Sequence, residues 1–262
     1  MPAYLSADFI AGLYSKYRND MARVRESQKK LYDEIGFTRF EKYPPYRLLR
    51  RILMNCGIRI ENPKMIMRPQ LNDVEAEITY LLLREFKPKT VVEISPCGGW
   101  STTWILNALK DNGTGRLFSY DIVDTSEKTI PQDLKEGRWK LIMGDVKENI
   151  DKLPPSIDYL FLDSDHSAEF ARWYIQNLFP RLKPGTRVSV HDVFHGTAPS
   201  SFTGESRVIL EYLEHNSIKY FTAAKSRERA VYDTLMEAKK KFGLSNDVQY
   251  AHGNSMIYFV SQ

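Results

Sequence analysis

Residues 90–121 read TVVEISPCGGWSTTWILNALKDNGTGRLFSYD. Val91, Val92 and Ile94 form a β-branched run of the kind that makes a buried parallel strand. Gly98-Gly99 lets the backbone turn sharply where a ligand must approach, and a helix follows with Ser101 as its expected cap. Leu117-Phe118-Ser119-Tyr120 then reads as a second strand ending in Asp121. Strand, turn, helix and acid-terminated strand in that order make a nucleoside-binding half-unit. In an open α/β sheet, ligands sit beyond the carboxyl ends of the strands. Glu93 and Asp121 are placed for that edge, where the Asp121 carboxylate can accept both hydroxyls of a ribose.

The pattern continues downstream. Residues 139–145, WKLIMGD, read as a third strand running into Gly144-Asp145. Residues 158–162 make a fourth, which ends in Asp163-Ser164-Asp165-His166 before a helix that Ser167 can cap. Val188-Ser189-Val190 is a fifth strand after the stop Lys183-Pro184-Gly185, and it runs into His191-Asp192. Residues 218–222 and 255–260 supply a sixth and a seventh. Two polar clusters therefore end adjacent strands.

Upstream, residues 6–35 have helical composition with Phe9, Leu13 and Tyr17 on one face. Tyr43-Pro44-Pro45-Tyr46 breaks it, and Leu48 to Cys56 reads as a short helix ending at Gly57. Residues 61–70 form a linker or a wall of the active site, with Met65, Ile66 and Met67 available to substrate or core. Asn72 and Glu75 make a capping-box start for a helix through Phe86, with Val74, Ile78, Leu81 and Leu82 on one face. Residues 194–206, rich in Gly, Ser and Pro, are a candidate lid carrying a second candidate base, His195. Residues 205–215 and 227–242 read as helices, the second packing on its neighbours or on a second subunit.

A chain of 262 residues with 42% hydrophobic content can bury one large core with room for an appendage. We divide it into a helical N-terminal extension, residues 1–70, and a catalytic domain, residues 71–262. No apolar run approaches the ~18 residues of a membrane span, and the N-terminus lacks signal-peptide order, so a cytoplasmic protein is expected. Two cysteines outside any metal-type cluster, Cys56 and Cys97, fit a reducing compartment. The net charge of +4 is uneven, with twelve Lys/Arg against six Asp/Glu in residues 1–60. Arg47, Arg50 and Arg51 near Phe40, Tyr43 and Tyr46 could grip RNA, whereas interrupting acids such as Asp33, Glu34 and Glu41 favour a solvated face or a subunit contact.

Asp163, Asp165, His166, His191 and Asp192 bring three carboxylates and two imidazoles to one rim of the sheet. Acids this close repel one another unless a cation or a positive side chain intervenes, so a divalent metal fits. Mg²⁺ suits mostly oxygen donors, and Mn²⁺ tolerates imidazole better. Asp165 is equally well read as a solvated acid of the following helix's first turn.

The turn after Glu93 lacks the G-x-G-x-x-G of dinucleotide enzymes. It resembles the first motif of class I S-adenosylmethionine-dependent methyltransferases, E/D-x-G-x-G-x-G, with Ser95 and Cys97 at two of the glycine positions and Gly99 retained. The resemblance implies an α/β, doubly wound, Rossmann-like sheet of seven strands with the last antiparallel. It implies S-adenosylmethionine as cofactor, held by Glu93, Ser95, Gly99, Ser101, Asp121 and, at the adenine, Asp145. The D-x-x-H step at Asp163 and His166, with His191-Asp192 on the next strand, resembles metal-dependent O-methyltransferases of sugars and natural products. That likeness implies Asp163 and Asp192 as ligands, His191 as ligand or neighbour to the ion, and His166 as general base. The expected activity is metal-assisted methylation of a small-molecule hydroxyl by a homo-oligomer away from membranes. An RNA methyltransferase and a non-catalytic nucleoside-binding relative remain the alternatives.

Overall fold

The computed structural model describes residues 5–35, 67, 69–194, 204–249, 253 and 255–262. The expected helix at 48–56, Cys56, Met65, Ile66, the basic and aromatic residues Arg47, Arg50, Arg51, Phe40, Tyr43 and Tyr46, and most of the 194–206 loop with His195 lie outside these residues.

The strands are β1 (Thr90–Ile94), β2 (Arg116–Asp121), β3 (Trp139–Met143), β4 (Tyr159–Leu162), β5 (Arg187–Val190), β6 (Tyr220–Thr222) and β7 (Ile257–Val260). They form one sheet in the order β3-β2-β1-β4-β5-β7-β6. β1 to β5 pair in parallel, while β7 runs antiparallel to both β5 and β6. This is the expected doubly wound seven-stranded sheet. Its strand order reverses between β1 and β4, so the turns leaving those strands open the crevice where such sheets bind ligands.

Strand side chains alternate between two cores, as the period of two requires. Val91, Leu117, Tyr159, Phe161 and Tyr258 face one core; Val92, Leu160, Leu162, Val188, Val190 and Phe259 face the other. The first core receives α1 (Ala7–Lys16), α2 (Arg18–Ile35), α3 (Asp73–Phe86), α4 (Trp100–Asn112) and Leu235 of α9 (Arg229–Lys241). α7 (Ala168–Asn177) and α8 (Gly204–His215) cover the second. Two short helices between β2 and β3, α5 (Thr125–Thr129) and α6 (Gln132–Lys135), complete the fold. At five and four residues they are too short to leave a periodic signal.

The expected N-terminal helix is two helices, because Tyr17 ends α1 with φ −107°. Both share the sheet's core through Ile10, Leu13, Tyr14, Met21, Val24 and Leu31. The capping box of α3 is present in both directions, Asn72 accepting from the Glu75 N–H and Glu75 accepting from the Asn72 N–H. α3 is enclosed from Asp73 to Leu83 rather than on one stripe alone. Ser167 caps α7 by accepting from the Phe170 N–H at 3.0 Å. Ser101 does not cap α4: Gly99 holds that position in the left-handed conformation, φ +88°.

Candidate active site

The turn after β1 holds three of its residues in the left-handed region. Ser95, Cys97 and Gly99 have φ of +63°, +48° and +88°, so two ordinary side chains adopt a conformation that normally favours glycine. A Cβ on Gly99 would meet Ile130 at 2.8 Å, which explains why the third position keeps its glycine. The turn is tied across the sheet, since the Cys97 N–H donates to Asp121 Oδ2 at 2.8 Å and the Val123 N–H donates to Asp121 Oδ1 at 3.1 Å. Burial raises the Asp121 pKa, and these backbone donors oppose the rise.

A cleft of about 160 Å³, partly open to solvent, lies at this edge. Ser95, Asp121 and Asp145 line it together with Ile122, Lys147, Ser164 and Asp165. Asp145 accepts from the Lys147 N–H at 2.8 Å, which turns the chain along the cleft wall. Three of the expected cofactor residues, Ser95, Asp121 and Asp145, thus share one cavity.

Glu93 and Ser101 sit behind the turn, outside the cleft lining. Glu93 is fully buried and accepts from the hydroxyls of Ser101 at 2.6 Å, Ser119 at 2.7 Å and Thr102 at 2.9 Å. Burial pushes its carboxyl up to about 7, against the pull of those hydroxyls. In this structure the Ser101 hydroxyl serves Glu93.

The two polar clusters meet beside the crevice. Asp163 follows β4, and its N–H donates to Ile94 O at 3.3 Å; His191 follows β5, its N–H donating to Leu162 O at 2.9 Å. This register places one oxygen each of Asp163 and Asp192 and a nitrogen of His191 within 4.8 Å of one another. His191 Nδ1 is 3.0 Å from Asp163 Oδ1 and 3.4 Å from Asp192 Oδ1. His166 Nε2 is 3.5 Å from both Asp163 Oδ1 and Asp192 Oδ2. His166 and Asp192 take φ of +58° and +56°, strain of the kind that concentrates at functional sites. Asp165 stands apart from this group, exposed and accepting from the Ser167 N–H at 2.9 Å.

Sequence reasoning missed two further acids here. Glu205, in the first turn of α8, places Oε2 2.7 Å from His166 Nδ1. Glu75 places Oε2 3.5 Å from His191 Nε2, while its Oε1 accepts the N–H groups of Ser255 and Met256 at 2.6 and 2.9 Å. Ser255 Oγ in turn lies 3.0 Å from Asp192 Oδ1. The capping box announced Glu75 as a helix-start residue only, and nothing local marked Glu205.

Burial alone would lower the His191 pKa, but Asp163 and Glu75 outweigh it and raise the imidazole well above its ordinary range. His166 is raised likewise, with Glu205 and Asp163 overcoming burial. Burial pushes Asp163 up, yet the two histidines hold it below the usual carboxylate value. Four carboxylates therefore surround two imidazoles, and their charge is balanced by protons on the two rings or by a cation that displaces a proton from His191. Ligands at ~2.1 Å in octahedral geometry stand about 3.0 Å apart at adjacent corners, close to the spacings between His191 Nδ1 and the two aspartate oxygens. Asp163, His191 and Asp192 fit such an ion.

Residues 92–193 match the family model of a methyltransferase domain. No curated protein matches the chain in sequence. Among solved structures, an O-methyltransferase from Bacillus cereus in complex with S-adenosylhomocysteine aligns with a TM-score of 0.54 at 12% identity, over 91% of this chain and 100% of that one. The S-adenosylhomocysteine-bound Podospora anserina methyltransferase PaMTH1 aligns at 0.53 and 13%, over 92% and 94%. The O-methyltransferase TomG from Streptomyces achromogenes, bound to S-adenosylmethionine, aligns at 0.52 and 15%, over 74% and 82%. At these identities the likeness establishes the fold. Residues 92–193 thus match a methyltransferase-domain model, within a chain that has the class I methyltransferase fold.

Proposed function

We propose that the protein is an S-adenosylmethionine-dependent, divalent-metal-assisted O-methyltransferase acting on a hydroxyl of a small molecule, a sugar or natural product. The observation that carries this reading is the adjacency of the Ser95–Asp121–Asp145 cleft and the Asp163–His191–Asp192 cluster, both at the carboxyl ends of β1 to β5.

In this reading Asp121 takes the ribose hydroxyls, for which its oxygens keep lone pairs beyond the two backbone N–H groups they accept. Asp145 faces the adenine. Asp163 and Asp192 with His191 would hold Mg²⁺ or Mn²⁺, which when bound lowers the pKa of a coordinated hydroxyl. His166 is the general base, and its Nε2 faces both aspartates.

Calorimetric titration with S-adenosylmethionine and S-adenosylhomocysteine tests the cofactor. Binding of both is expected, and binding of neither removes the reading. Methyl transfer to a panel of hydroxylated sugars and phenols tests the metal: chelation is expected to stop turnover, with Mg²⁺ or Mn²⁺ restoring it. Asp163→Ala is expected to do the same while cofactor binding persists. Full turnover of the chelated protein would refute metal assistance.

A further inference from the structure

The His166 ring is held from behind by a buried acid on a different helix. Glu205 is 2% exposed, its Oε2 lies 2.7 Å from His166 Nδ1, and its own N–H donates to His166 O at 3.1 Å. The approach of α8 that makes these contacts needs a glycine, because a Cβ on Gly204 would fall 2.6 Å from Ala168 Cβ and 2.9 Å from Ala168 N. His166 meets Glu205 from a left-handed backbone, φ +58°. Four independent features, one carboxylate contact, one main-chain bond, one steric fit and one strained residue, thus converge on the direction of a single imidazole.

We propose that Glu205 is a positioning residue that keeps the proton of the neutral His166 ring on Nδ1 and leaves the Nε2 lone pair aimed between Asp163 and Asp192. The assignment rests on reading His166 as the general base. An ionised carboxylate can only accept a hydrogen bond, so in the neutral ring the single proton sits on Nδ1, at 2.7 Å from Glu205 Oε2, rather than on Nε2, at 3.5 Å from the aspartate oxygens. Nε2 then takes the proton of the substrate hydroxyl as the oxygen forms its bond to the sulfonium methyl. The carbon–sulfur bond breaks with its electron pair going to sulfur, and the products are a methyl ether and a thioether. With this proton on Nε2 the ring becomes an imidazolium, whose charge Glu205 balances. A base oriented by a third group is the general logic of activated catalytic dyads. Without the glutamate, a ring protonated on Nε2 would present a donor to the substrate and could not act as a base.

The test is long-range ¹H–¹⁵N NMR of histidine-labelled protein without cofactor or acceptor, with His166 assigned by the signals lost in His166→Gln. In the neutral ring, wild type is expected to show Nδ1–H and a bare Nε2. Glu205→Gln, whose side-chain oxygen can accept the same proton, is expected to retain that pattern. Glu205→Leu is expected to move the proton to Nε2, with an unchanged near-ultraviolet circular dichroism spectrum as the check on folding. An Nε2–H ring in wild type, or an unchanged Nδ1–H ring in folded Glu205→Leu, overturns the assignment. Loss of S-adenosylmethionine binding would sink the proposed function and leave this result untouched, whereas the wrong tautomer in a protein that binds the cofactor would sink only the role of Glu205.

Discussion

The Cys97 N–H donates to Asp121 Oδ2 at 2.8 Å, joining the turn after β1 to the acid at the end of β2. One carboxylate therefore shapes the turn and faces the cleft. This dual use makes Asp121 the residue on which cofactor affinity should depend most steeply.

Asp121→Ala removes the tie and the proposed ribose acceptor together. Hydrogen bonds to a charged group contribute ~1.5–3 kcal/mol, so the affinity for S-adenosylhomocysteine should fall by ~10- to 100-fold in calorimetric titration. An unchanged affinity would mean that the nucleoside lies elsewhere.

Cys97 sits at φ +48°, where a side chain is strained and glycine is not. Glycine also loses more chain entropy on folding, which offsets the relief. Cys97→Gly should therefore melt close to wild type and still bind cofactor. A β-branched Cys97→Val should lose ~1–3 kcal/mol in urea unfolding. Equal stability of the two variants would show that this φ is not maintained in solution.

Glu93 gives a pH dependence with a definite sign. Its carboxyl is raised from 4.5 to about 7 in the folded chain, so the folded state binds the proton more tightly than the unfolded one. The stability this contributes is complete below pH ~4.5 and disappears as pH rises through ~7. Urea midpoints of wild type relative to Glu93→Gln should accordingly fall between pH 5 and 8. A difference that stays constant over that range would show that Glu93 is not protonated in the folded protein.

Gly204 and Ala168 make a pair suited to a double-mutant cycle. Gly204→Ala should cost ~1–3 kcal/mol, because the added methyl has no room. Ala168→Gly should recover part of that loss, which independent sites would not do. Melting curves of the four proteins measure the coupling, and additive effects would place the two residues apart.

Glu77 anchors the N-terminal helices. It is fully buried, accepts from the Tyr14 hydroxyl at 2.6 Å and from Lys239 Nζ at 3.0 Å, and pairs with Arg25. Glu77→Ala leaves two buried cations short of a partner, an arrangement that typically costs ~3–5 kcal/mol. A loss below ~1 kcal/mol in urea unfolding would show that α1 and α2 do not depend on this cluster.

The sheet was legible because buried parallel strands write themselves as short apolar runs. Val91, Val92 and Ile94 around Glu93, and Tyr159 to Leu162, are such runs, and each ends in polar residues that cannot continue it. Caps were legible where a side chain does the work, as at Asn72 and Ser167. They were misread at Ser101, because Gly99 caps α4 without a side chain and leaves the hydroxyl to Glu93. The split at Tyr17 and the short helices α5 and α6 escaped notice because a single turn carries no periodic signature.

Local sequence alone determined that acids and imidazoles end neighbouring strands, since strand ends follow from hydrophobic runs and each motif is contiguous. Asp163, His166, His191 and Asp192 were visible for that reason. Only the tertiary structure decided what stands behind them, because Glu75 and Glu205 reach the two histidines from helices 116 and 39 residues away in the chain. No spacing rule links such positions. Their meeting depends on how α3 and α8 pack on opposite faces of the sheet, and packing is a property of the whole core.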